Sequence, residues 1–173
     1  MLTRRLGPSD THQYRAIMLR AYEQHPDAFT SSVVERAAKP PDWWQSRLSP
    51  SPTANQVVFG TLTDSLLVGV AGISFETREK VCHKATIFGM YVDPQVRGTG
   101  TGSMLLNKLL EQAQSRSSIR VVQLTVTEGN ESAEKLYVKA GFRKFGVEPL
   151  AVRVQDGYVS KIHMWCDLEA MRL

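Results

Sequence analysis

Val92-Asp93-Pro94-Gln95-Val96-Arg97-Gly98-Thr99-Gly100-Thr101-Gly102-Ser103 is the stretch on which the reading of this sequence turns. Before it runs Ala85 to Val92, apolar and β-branched, a strand pattern that Asp93-Pro94 ends. After it, Met104-Leu105-Leu106, Leu109-Leu110 and Ala113 recur at helical spacing. A strand, a glycine loop and a helix therefore follow in that order. Glycines let backbone N–H groups turn toward a phosphate, and the helix N-terminus adds partial positive charge, so the loop reads as an anion cradle. A P-loop would need Gly-Lys-Ser/Thr at its end, and a Rossmann G-x-G-x-x-G would need glycine at Ser103 or Leu105. Neither spacing is met. A plain joining turn accounts for one or two glycines, whereas three alternate glycines behind an arginine favour the cradle.

Working outward, Leu2 to Leu6 predicts a first strand. Pro8-Ser9-Asp10 supplies a turn before Tyr14, Ile17, Met18 and Tyr22 at helical spacing. Five prolines between Pro26 and Pro52 break the next region, where Asp42 is expected to cap a short helix through Leu48. This loop-rich connection is a place for acceptor specificity. Val57–Leu62, a turn at Asp64-Ser65, Leu66–Phe75 and Ala85–Val92 predict an antiparallel meander. Val121–Val126 predicts a strand parallel to Ala85–Val92, because a helix crosses between them. Asn130 opens a helix that stops at Gly141, and Val147–Val154 with Tyr158–Leu168 predict a closing hairpin. The expected fold is mixed α/β: a mostly antiparallel sheet of six or seven strands with helices on both faces.

At 173 residues, 42% hydrophobic and 22% charged, the sequence fits one domain, residues 1–173, with a sizeable core. The net charge of +4 comes from scattered basic residues with no run, so no nucleic-acid partner is implied. Cys82 and Cys166 lack C-x-x-C spacing and read as reduced thiols, and the four histidines form no ligand pair, so no metal site is expected. No window reaches the roughly 18 apolar residues of a membrane span, and the expectation is a cytoplasmic protein without membrane attachment.

The glycine stretch resembles the acyl-CoA motif of the GNAT superfamily of N-acetyltransferases, Gln/Arg-x-x-Gly-x-Gly/Ala, on Arg97, Gly100 and Gly102. A second segment, Asn130-Glu131-Ser132-Ala133-Glu134-Lys135-Leu136-Tyr137-Val138-Lys139-Ala140-Gly141-Phe142, is similar to that family's Asn-x-x-Ala-x-x-Leu-Tyr-x-x-x-Gly-Phe. The resemblance implies acetyl-CoA as cosubstrate. Backbone groups of Met90, Tyr91 and Val92 would pair with its pantetheine arm, and the amides of Arg97, Gly98, Thr99, Gly100, Thr101, Gly102 and Ser103 would hold its pyrophosphate. Asn130 would contact the cofactor, and equally reads as a helix N-cap. The strands of Met90 and Val126 would splay to admit the thioester, with Gly89 permitting a bulge. Tyr137 would be the general acid. A homodimer through the sheet edge or the closing hairpin is common in such a family.

An amine attacks a thioester only when neutral. At pH 7 an amine of pKa about 10.4 is neutral roughly once in a few thousand molecules, and an α-amine near 7.7–8.0 about one time in ten. A base is therefore useful. Some members of the family place a glutamate on the strand before the glycine loop, but Ala85–Val92 holds no carboxylate. Glu76 and Glu128 remain as candidate bases, with His83 behind them, although each also reads as a solvated surface residue. Neither cysteine lies in the motif region, so the expected reaction is direct attack by a small-molecule or protein amine in a ternary complex. The alternative is a non-catalytic acyl-CoA sensor, which CoA release in the presence of amines would exclude.

Overall fold

Burial on both faces gives the central strands their composition. β3, Leu66–Phe75, is buried along almost its whole length, and its run of Leu, Val, Ile, Ala and Gly leaves no polar residue before Ser74. It forms a hairpin with β2, Gln56–Thr63. Asp64 and Ser65, at φ of 47° and 67°, both take the left-handed conformation that a two-residue hairpin turn requires. β1, Leu2–Arg5, adds antiparallel to β2, and β4, Lys84–Val92, adds antiparallel to β3. The computed structural model describes residues 1–171.

The sheet has seven strands in the order β1-β2-β3-β4-β5-β7-β6. β5, Val121–Thr127, is parallel to β4, and this is the one parallel pair in the sheet. β6, Arg143–Val154, and β7, Gly157–Asp167, close it as an antiparallel hairpin. β6 starts four residues before the Val147 that apolar patterning marks. It is an edge strand whose first eight residues are exposed, so no core requirement writes itself into Arg143-Lys144-Phe145-Gly146.

Helices cover both faces. α1, Thr11–Gln24, buries Tyr14, Ile17, Met18, Ala21 and Tyr22 against the sheet, joined by Trp44 of α3, Pro41–Ser46. Between them lies α2, Val33–Ala37, capped by Ser32 and Glu35. α3 begins two residues earlier than the cap at Asp42 predicts: Pro40 is the cap, Pro41 the first helical residue, and Asp42 sits in the first turn. Proline at that position costs no hydrogen bond, because the first amides of a helix have no internal acceptor. On the opposite face α4, Thr101–Gln114, and α5, Glu131–Lys139, pack over Ile73, Val122, Phe142 and Met164.

Candidate active site

β4 and β5 pair only at Lys84↔Val121, Ala85↔Val122 and Thr86↔Gln123. Beyond those residues the two strands part, while β4 stays on β3 as far as Gly69↔Val92 and β5 stays on β7 as far as Thr127↔Lys161. The result is a split in the middle of the sheet. Its two inner edges carry backbone N–H and C=O groups with no ladder partner, which an extended ligand arm can use as an added strand does.

A bulge in β4 shapes the split. Gly72 faces Phe88 and Val70 faces Tyr91, so the single residue Ala71 opposes both Gly89 and Met90. Gly89 has φ +62°, a conformation an L side chain resists. The extra residue reverses the alternation of the strand. Before it, Ala85 and Ile87 face α4; after it, Met90 and Val92 do, and Tyr91 joins the α1 core, its hydroxyl donating to Gln24 Oε1 at 2.9 Å.

The glycine loop is held from below, leaving its upper surface free. Asp93 accepts from Gln95 N–H at 3.0 Å and from Arg20 Nη1 of α1 at 2.7 Å. The Arg97 guanidinium folds back, donating from Nε to Val92 O at 3.1 Å and lying 2.9 Å from His25 Nε2, and its amide reaches Pro94 O at 3.3 Å. Arg97 thus braces the loop, and among the expected phosphate amides its own is already engaged. Gly98 and Gly100 take φ of +79° and +87° in open space, and Thr99 Oγ1 bonds Val96 O and Thr101 Oγ1. The first amide to close α4 is Met104 N–H on Gly100 O at 3.0 Å. The amides of Gly100, Thr101, Gly102 and Ser103 therefore form the unpaired, electropositive end of α4, a fitting receptor for a pyrophosphate.

Tyr137 comes from α5 on the same side of the sheet. It is buried, its ring meets Phe142 edge to face at 6.0 Å, and its hydroxyl donates to Met90 Sδ at 3.3 Å. Burial pushes the phenol up to about 12. One buried hydroxyl on the α4 face of the sheet therefore stands against the Met90 thioether and stays protonated at neutral pH. Asn130 caps α5, its Oδ1 accepting from Ala133 N–H at 3.2 Å.

The structure separates the two candidate bases. Glu76 follows β3 at the closed end, its amide on Lys84 O and its carboxylate 3.2 Å from Arg78. Met90 lies six residue steps along β4 from Lys84, roughly 15–20 Å at strand rise. Glu128 follows β5 at the open end of the split, exposed, with its amide on Ser160 O. His83 lies with Glu76 at the closed end, its carbonyl accepting from Arg120 and Val121.

Lys161 of β7 is a residue that sequence patterning does not single out. Its side chain is buried, and Nζ donates to Asp27 O at 3.2 Å, Ala28 O at 2.9 Å and Thr127 Oγ1 at 2.7 Å. An ammonium has three donors, and all three are used. This lysine fastens the chain leaving α1 to the open end of β5. Among the described residues no group of His, Cys, Asp and Glu could hold a metal, and no helix is long and apolar enough to cross a membrane.

A mixed sheet split between its one parallel pair, with an electropositive helix end behind the split, defines an acyl-CoA-dependent transferase. Residues 17–142 match the model of the Acetyltransferase (GNAT) family, and the chain belongs to that family. It is similar to the L-amino acid N-acetyltransferase AaaT of Escherichia coli strain K12, at 28% identity over 90% of this chain and 93% of that one. It is also similar to the [Ribosomal protein bS18]-alanine N-acetyltransferase of Haemophilus ducreyi, at 32% identity over 49% of this chain and 58% of the relative. Among solved structures, a GNAT acetyltransferase of Streptococcus pneumoniae shares the fold with a TM-score of 0.81 at 23% identity, covering 96% of this chain and 98% of its own. The structure of yncA from Salmonella typhimurium, which contains its cofactor acetyl-CoA, superposes with a TM-score of 0.79 at 18% identity over 97% and 94%.

Proposed function

We propose that this N-acetyltransferase transfers an acetyl group to a primary amine by direct attack within a ternary complex. The observation that carries the reading is the split between β4 and β5 beside the free amides of α4, with the Tyr137 hydroxyl on the same face, against the Met90 thioether. Acetyl-CoA supplies the acetyl thioester. In this reading the amides of Gly100 to Ser103 hold its pyrophosphate and the backbone groups of Met90 to Val92 that face the split orient its arm. Asn130, at the open end of the split, fixes the start of α5 and contacts the cofactor. The new N–C bond forms as the C–S bond breaks.

Tyr137 donates a hydrogen bond to the departing sulfur. A thiol has pKa about 8.5, so complete proton transfer from a phenol near 12 is uphill by about 5 kcal/mol. The hydrogen bond lowers the cost of negative charge on sulfur, and the proton lost by the amine restores neutrality. We assign Glu128, exposed at the open end, to take that proton through water and pass it on to the thiolate; Glu76 is at the other end of the strand. Neither thiol is suited to carry an acetyl group: Cys166 is buried, its thiol pushed up to about 12, and Cys82 donates to Glu79 O at the closed end. The relatives' acceptors, an amino acid and a ribosomal-protein alanine by name, both offer amines.

The test is chromatographic measurement of CoA and acetylated product across amine classes, with Cys82→Ser and Cys166→Ser beside the wild type. Equal turnover by all three is expected. An acetyl-cysteine that forms and is discharged by the acceptor would replace direct attack with a two-step transfer.

A further inference from the structure

On the α1 face of the sheet three cations gather around one indole. Trp43 of α3 has the Arg36 guanidinium carbon 4.8 Å from its ring centre, that of Arg47 at 4.7 Å and the Lys39 ammonium at 5.9 Å. Arg36 also stands 5.7 Å from the Tyr22 ring, and Arg47 stands 5.0 Å from the Phe88 ring. Among the described residues neither arginine enters an ion pair, and Arg36 Nε is buried with no hydrogen-bond partner. Glu35, the carboxylate of the same short helix, accepts from Ser32 N–H at 2.8 Å and is attracted more weakly to Arg36 and Lys39, with no ion-pair contact to either. Arg36 and Lys39 line, with Thr30, Ser31 and Glu35, an open depression of about 400 Å³.

Two guanidiniums on one indole lie within roughly 10 Å of each other, a distance over which their charges still repel. Attraction to the ring offsets part of that repulsion, and an anion bound beside them offsets more. Phe88 gives the cluster its place. It is the last residue before the Gly89 bulge and belongs to the α1 face, whereas Met90, against the Tyr137 hydroxyl, belongs to the α4 face. The cations therefore lie on the face of the sheet opposite the electropositive end of α4, beside the segment of β4 that leads into the split, and in the transferase reading that face is left to the acceptor when the cofactor arm comes from α4.

We infer that Arg36 and Arg47 receive a carboxylate carried by the acceptor, so that the acceptor is a free amino acid or a similar amino carboxylate. A polyamine or a lysine side chain would bring a second cation to this cluster and be repelled. Tyr22, Trp43 and Phe88 supply apolar walls beside the charge. The assignment rests on the transferase reading above and adds the class of acceptor and the residues that select it.

The experiment compares each L-amino acid with its own amide, which keeps the α-amine and loses the carboxylate, and adds spermidine as a polycation. The amide's amine is the less basic of the two, so in the absence of a carboxylate receptor the amide reacts faster. The expected result is kcat/KM for the preferred amino acid roughly 10- to 100-fold above that for its amide, the worth of a hydrogen-bonded charge. In Arg36→Gln and Arg47→Gln that ratio collapses toward one, chiefly through KM of the amino acid, while acetyl-CoA affinity measured by titration calorimetry stays at the wild-type value and reports an intact fold. Amides or spermidine acetylated as well as amino acids, or a ratio unmoved in both variants, would overturn the acceptor assignment and leave transfer standing. Binding of acetyl-CoA with no CoA release by any of these amines would overturn the transferase reading and this assignment with it.

Discussion

Tyr137 is the residue on which chemistry and binding separate most cleanly. Its hydroxyl makes one contact, with Met90 Sδ, and its ring packs on Phe142, so Tyr137→Phe keeps the packing and removes the donor. We expect kcat to fall by about 10²–10³, the cost of losing one donor to a developing anion, with acetyl-CoA affinity retained, measured by steady-state kinetics and calorimetry. Because the phenol is pushed up to about 12, the wild-type kcat should show no loss near pH 10, where an ordinary tyrosine ionises. Gly100 tests binding. A side chain there meets nothing within 4 Å, and aspartate and asparagine tolerate the left-handed backbone better than other residues. Gly100→Asp should weaken acetyl-CoA about 100-fold by placing a carboxylate at the end of α4, and Gly100→Asn should weaken it far less. Both residues stand out in the sequence because each sits in a spaced motif. Arg97 does not behave as its motif position suggests: the guanidinium turns back to Val92 O and His25, a partner 72 residues away that no local pattern joins to it.

At the scale of elements, the split depends on what each strand does after Thr86 and Gln123. The phase reversal at Gly89 was legible as a glycine in a strand followed by a motif, and the register confirms a bulge there. The clasp at Lys161 was not legible, because Ser160-Lys161-Ile162-His163 alternates like any half-exposed strand and the acceptors are carbonyls of Asp27 and Ala28, far off in the chain. The same limit hid the Trp43 cluster, whose members come from α2, α3 and β4. Lys161→Met keeps the stem and leaves three oxygens without their donor. It should destabilise the protein by about 1–3 kcal/mol in urea unfolding. It should also raise KM for the acceptor, since the segment it releases leads from α1 into the depression at Thr30 and Ser31.

Across the whole molecule, two cores share one sheet, and the α4–α5 core holds two buried acids. Tyr137 and Cys166 are both pushed up to about 12 by burial, from about 10 and about 8.5 unfolded. A raised folded-state pKa means that the neutral form is the folded form. The stabilisation is complete below about pH 8.5 and is lost progressively as pH rises toward 12. The thermal midpoint should therefore fall steeply over that window, and Cys166→Ala should start the fall later, near the ordinary tyrosine pKa, as calorimetric scans at successive pH values would show. The central claim is that the split between β4 and β5, with the unpaired end of α4 behind it, is where acetyl-CoA lies. Amide hydrogen exchange with and without acetyl-CoA measures this directly. The account predicts at least about tenfold slower exchange at Gly100 to Ser103 and at the amides of Met90 to Val92 that face the split, where donors without ladder partners gain acceptors. Saturating acetyl-CoA that left these amides unchanged and protected others would contradict it.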